Sequence, residues 1–250
     1  MSNIGQSPRL RYDEGCLGAH ALNFIGDRWA LLVVRELMFA PKRFQMIRAG
    51  MPGITASVLT QRLAQLGQAG IVEHDAVLGI YALTGAGRAL HPVLTELCRW
   101  ALMMPGHDPS KFISISALMI SISATVDPAA ARGWAGRAGF LSGAEGFEVT
   151  ITAEGLPQVR AAREPRGDFV LEGSGNNLAA AVYGPPPNAL AAKGLIALHG
   201  DPVAAQQFTG FFSLSLQSSL STDSPDEIEQ VPAASSSWNS ATVPSSTSIA

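Results

Sequence analysis

The sequence predicts two α+β regions in series, the first of them mainly helical, followed by a serine-rich tail. Three observations lead there. From about Ala19 to Met104 apolar residues recur at helical spacing, interrupted once by a short alternating pair of runs. From Phe112 to about Phe212 strand-like alternation is interleaved with alanine-rich helical stretches, and "MMPGHDPSK" (103–111), with two prolines and a glycine, marks the boundary. Residues 215–250 hold twelve serines, four acidic residues and no basic one, without periodicity. Ordering entropy should therefore leave that tail disordered. The expected division is 14–104, 112–214 and 215–250.

Charge is unevenly spread over these parts. The 250 residues carry a net −3, made up of +3 over 1–104, −2 over 105–214 and −4 over the tail. The basic part is the first region, which is where an acidic polymer would bind. Cys16 and Cys98, the two cysteines, cannot form a disulfide framework and suit a reducing compartment. The opening "MSNIGQSPRLRYDEG" lacks the apolar core of a secretory signal, and "FISISALMISISATV" is too short and serine-rich to span a bilayer. A cytoplasmic protein is expected. His20, His74, His91, His107 and His199 show no ligand spacing, so no metal is expected. "GSG" (173–175) and "GWAGRAG" (133–139) fit neither a phosphate loop nor a nucleophile elbow. With no acid/base constellation either, neither a cofactor nor an enzymatic activity is expected.

"RWALLVVRELMF" (28–39) is apolar on nearly all sides and predicts a buried helix. Pro41 breaks the pattern before a short helix around Phe44–Arg48, and "MPGI" makes a turn. Thr55 or Ser57 can cap the next helix, which runs to about Ala69 and stops at Gly70. Short helix, glycine-containing turn and longer helix are the sequence form of a helix-turn-helix. "IVEHD" and "IYAL", separated by a turn at Gly79, predict a hairpin, the wing of a winged helix. Thr84 opens a last helix with Leu90, Leu94, Leu97 and Ala101 on one stripe, and Pro92 inside it predicts a kink or a late start.

These residues resemble the HxlR family of bacterial winged-helix regulators, relatives of the MarR type. The resemblance covers roughly 14–104 and rests on "IGDRW" (25–29), Phe44, "PGI" (52–54), "LTQRL" (59–63) and "YALTGAG" (81–87). It implies a dimer that places one recognition helix in each of two major grooves of double-stranded DNA. Thr55–Ala69 is long enough for that role, at roughly 20 Å. Burying Leu59, Leu63 and Leu66 turns Thr55, Ser57, Thr60, Gln61 and Gln65 outward. Gln61 can pair with adenine, and Ser or Thr can bond bases or phosphates. Lys42, Arg43 and Arg62 are the expected phosphate contacts. The wing offers His74 between Glu73 and Asp75 where the family has Arg or Lys, so a salt-sensitive affinity resting on the helix is expected. Cys16 stands where such proteins commonly have a cysteine, some of them using it to sense oxidants, although Leu17 replaces the usual proline. The other reading of Cys16 is simple packing at the dimer interface. Cys98, among Leu94, Leu97 and Ala101, is expected in the core.

In the second region "GFEVTIT" (146–152), "FVLEGS" (169–174) and "GLIALHG" (194–200) predict strands, and "NNLAAAVYG" and "DPVAAQQFTGFF" predict helices. The β-branched isoleucines of "FISISALMISISATV" tilt that run toward strand. Residues 168–184 and 193–212 resemble the C-terminal half of sterol-carrier-protein domains, which implies a helix-covered sheet holding an apolar tunnel for lipid-like ligands. Phe140, Phe147, Val149, Phe169, Leu171, Leu178, Val182, Leu195, Phe208, Phe211 and Phe212 would line such a cavity or fill a core. The whole chain thus reads as a dimeric DNA-binding repressor controlled by an apolar ligand. Two alternatives stay open: a lipid carrier or interaction protein whose winged helix only dimerises, and a thiol-based redox regulator acting through Cys16.

Overall fold

The structure, a computed structural model, describes residues 11–215. All but the first residue of the tail expected over 215–250 lies outside the described residues. Helix α1 (Leu17–Ile25) leads into the buried α2 (Ala30–Leu37), then the two-residue strand β1 (Lys42–Arg43) and α3 (Phe44–Ala49). Helix α4 spans Ala56–Gln68, within a residue of the expected ends at both termini. Thr55 caps it, its Oγ1 accepting from the Val58 amide at 3.3 Å. Beyond it Gly70 turns the chain at φ +69°, a conformation that other residues avoid.

The hairpin forms as β2 (Val72–Asp75) and β3 (Ile80–Leu83). Asp75 organises its turn, accepting from the amides of Val77 and Leu78, and Gly79 closes it at φ +64°. β1 adds to the far side of β3, giving the antiparallel order β1-β3-β2. Thr84 caps a single helical turn, α5 (Gly85–Arg88), and the chain restarts as α6 (His91–Ala101) with Pro92 in its first turn. Proline thus marks a late start, not a kink. Of the expected stripe only Leu94 is buried, while Leu97 and Ala101 face outward and Cys98 is half-buried.

The run expected to be a strand is instead α7 (Ile115–Thr125). Ser114 caps it by accepting from the Ala117 amide at 3.1 Å. Its apolar side chains are buried on nearly every side, which overrides the β preference of isoleucine. Two of its serines are absorbed by the helix itself: Ser121 and Ser123 donate to the carbonyls of Ala117 and Met119.

After the short α8 (Pro128–Ala131) come β4 (Arg137–Ser142), β5 (Glu145–Ile151), β6 (Pro157–Ala161) and β7 (Phe169–Glu172). Helices α9 (Gly175–Tyr183) and α10 (Pro187–Ala192), strand β8 (Ala197–Gly200) and α11 (Pro202–Thr209) complete the chain. The sheet order is β6-β5-β4-β7-β8, parallel only between β4 and β7. β4 and β6 were not expected, and β8 is shorter than the run that predicted it. Phe140 lies opposite both Phe147 and Leu171, so one sheet face is apolar, and α7, α9 and α11 pack on it. A second cluster fills the first region and includes Ile120 of α7, while Phe39 packs against both clusters.

Candidate nucleic-acid interface

Leu59, Leu63 and Leu66 anchor α4 in the first cluster. Thr55, Ser57, Thr60 and Gln61 are consequently exposed on one continuous polar face. Beside this face the wing forms the other wall of a groove of about 290 Å³, with Thr60, Ala64 and Gly67 on one side and Glu73, His74 and Tyr81 on the other. His74 stacks on Tyr81 across the hairpin, ring centroids 4.3 Å apart and nearly parallel. Tyr81 was missed in the sequence, although counting across the hairpin turn pairs it with His74. Arg43 is exposed at the end of β1.

Two of the expected phosphate contacts are corrected. Arg62 is only 5% exposed. Its guanidinium pairs with Asp27, from the turn between α1 and α2, and donates to the half-buried Gln65 side chain. The charge ties α4 to its own scaffold and does not face the groove. Lys42 is 2% exposed. Its ammonium donates to Glu36 Oε2 at 3.1 Å and to Ser116 Oγ at 3.0 Å, and it pairs with Glu145. An ammonium sunk among these partners cannot reach a DNA backbone. Neither burial was foreseeable from the spacing, because the charged partners lie outside the element concerned.

Cys16 sits exposed at the N-cap of α1. The backbone amides of Ala19 and Gly18 hold its thiol below the ordinary value. Cys98 shows the opposite tendency, burial pushing its thiol up.

In the second region ten of the eleven expected apolar residues are buried together; Leu195 is the correction, 45% exposed on the surface before β8. The ring of Phe208 lies 5.0 to 6.2 Å from those of Trp134, Phe212, Phe169, Phe140 and Phe211. Around Phe208 the interior is filled by rings in mutual contact.

Residues 24–108 match the HxlR-like helix-turn-helix family. Over 86 residues the chain is 35% identical to the HTH-type transcriptional regulator YvaP of Bacillus subtilis (strain 168), a match covering 32% of this chain and 80% of YvaP. It is 40% identical to the HTH-type transcriptional regulator YodB of the same organism over 86 residues, covering 32% of this chain and 77% of YodB. The crystal structure of quinone-bound YodB from B. subtilis superposes with a TM-score of 0.33 at 39% identity, covering 35% of this chain and 97% of that one. The matched residues, 24–108, hold the helix-turn-helix and the wing. The chain belongs to the HxlR-like helix-turn-helix family of transcriptional regulators.

Proposed function

We propose that the chain is a sequence-specific DNA-binding repressor, with residues 14–104 as the reading head and 112–214 as an effector module. One observation carries this: the polar face of α4, held outward by its three leucines, stands free beside the wing in a chain of this family. Gln61 reads bases, Thr60 and Ser57 contact bases or phosphates, and Arg43 neutralises a phosphate. The wing contributes a stacked His74–Tyr81 pair in place of basic residues. Two copies are needed to place two such helices one duplex turn apart. The test is selection of duplexes from a randomised library by the purified full chain, followed by gel shift with the selected duplex. Gln61→Ala should lose most of the shift; failure to enrich any duplex would overturn the reading.

The effector is proposed to be an apolar or lipid-like molecule in the sterol-carrier-like second region, supported by its helix-covered mixed sheet and apolar interior. Such a ligand must separate the rings around Phe208 in order to enter. Native mass spectrometry of the purified chain should show a lipid-sized adduct; bare protein that takes up no added fatty acid would remove the ligand. A second reading is favoured by Cys16, whose exposed thiol at a helix N-terminus is suited to oxidation. It calls for release of the selected duplex on mild oxidation, abolished in Cys16→Ser.

A further inference from the structure

Six side chains, from four elements and one helix cap, converge where the two regions meet. Glu36 of α2 has no exposed surface. Its Oε1 accepts from Arg35 at 2.8 Å and from Ser114, the α7 cap, at 2.6 Å, while Oε2 accepts from Lys42 of β1. Lys42 continues the chain of contacts to Ser116 of α7 and to Glu145 at the start of β5. Gly50, which ends α3, is packed against the same carboxylate: a Cβ there would lie 2.2 Å from Glu36 Oε2. Arg35 also donates to the Gly50 carbonyl at 2.9 Å. Three parts of the first region therefore meet at one buried carboxylate. These are the scaffold helix, the helix preceding the recognition helix, and the strand that extends the wing sheet. On its other side the network is completed entirely by the second region.

Replacing buried ion pairs with apolar residues is often neutral for stability, whereas removing one partner leaves a charge that must relax elsewhere. A network of this kind is therefore weak evidence for added stability. We propose that Lys42 is a positioning residue for DNA binding, and that Ser116 and Glu145 of the second region set the placement of the wing sheet and recognition helix through it. This rests on the DNA-binding reading above.

The test uses the full chain and the duplex that the wild-type protein selects from a randomised library, at a temperature well below the Tm of every variant. Glu145→Gln and Ser116→Ala should each weaken binding at least about fivefold, with the slope of log affinity against log salt unchanged. Lys42→Met should also weaken binding without changing that slope, and Glu145→Gln should have no further effect in its background, since a shared contact makes the two non-additive. A lysine that touched a phosphate would instead lower the slope by about 0.9. Should Lys42→Met fail to fold, the paired variant Glu36→Gln/Lys42→Met removes both charges together and serves the same comparison. Affinities within twofold of wild type for folded Glu145→Gln and Ser116→Ala would overturn the proposal, as would a slope reduced by about 0.9 in Lys42→Met. If wild type selects no duplex, it is the DNA-binding reading that fails.

Discussion

At the scale of single residues, charge type alone did not decide role. Arg43 and Arg62 look equivalent in the sequence, yet one is exposed and the other is 5% exposed against Asp27. Arg62→Ala should therefore act on folding before it acts on DNA. Because Asp27 keeps part of its hydration, the expected cost is about 1–3 kcal/mol, seen as a lower Tm. Arg43→Ala should leave Tm unchanged and reduce the salt slope by about 0.9. The partner of Arg62 was present in the "IGDRW" motif, but nothing in linear spacing says that Asp27 meets a residue thirty-five positions on. For Cys16 the sign is fixed by its surroundings: amides at a helix start favour the thiolate, so its thiol titrates lower than a free one. Iodoacetamide labelling followed across pH should reach half its plateau rate below about 8.5. Midpoint labelling at or above that pH would withdraw the thiol reading.

At the scale of elements, the helix-turn-helix and its hairpin were legible because each signal was local. Thr55, the leucine stripe and Gly70 define α4; the turn residues at Asp75 and Gly79 define the wing. α7 was misread because its cue was not local. Its isoleucines favour a strand in isolation, and only burial between a sheet and the first-region cluster makes a helix of them. β4 was overlooked for a related reason: "RAGFLS" becomes a strand through pairing with β5 and β7, the latter more than twenty-five residues away. Ser114 shows how much α7 depends on its start. Ser114→Ala removes both the cap on Ala117 and a hydrogen bond to the buried Glu36. The expected loss is about 1–3 kcal/mol, measured by denaturant midpoint, and more than Ser121→Ala, whose hydroxyl only bonds its own helix.

At the scale of the whole molecule, the surface left uncovered is as informative as the core. Leu17, Leu22 and Phe24 of α1 and Val93, Leu97 and Trp100 of α6 are all exposed, the largest value being 84% at Leu17. Apolar helical surface of this kind is normally turned inward, so the proposed dimer is expected to bury it. A dimer formed through α1 and α6 also satisfies the geometric need of two recognition helices on one duplex. Leu97→Glu places a charge on that surface without touching the buried face of α6, where Leu94 holds the helix to its own core. Sedimentation should then show the wild type as a dimer and the variant as a monomer, with secondary structure retained. Because a monomer presents only one reading helix, the variant should also lose most of its affinity for a two-half-site duplex while still binding a single half-site weakly. A wild type that sediments as a monomer at micromolar concentration, or a Leu97→Glu variant that remains dimeric, would place the partner surface elsewhere.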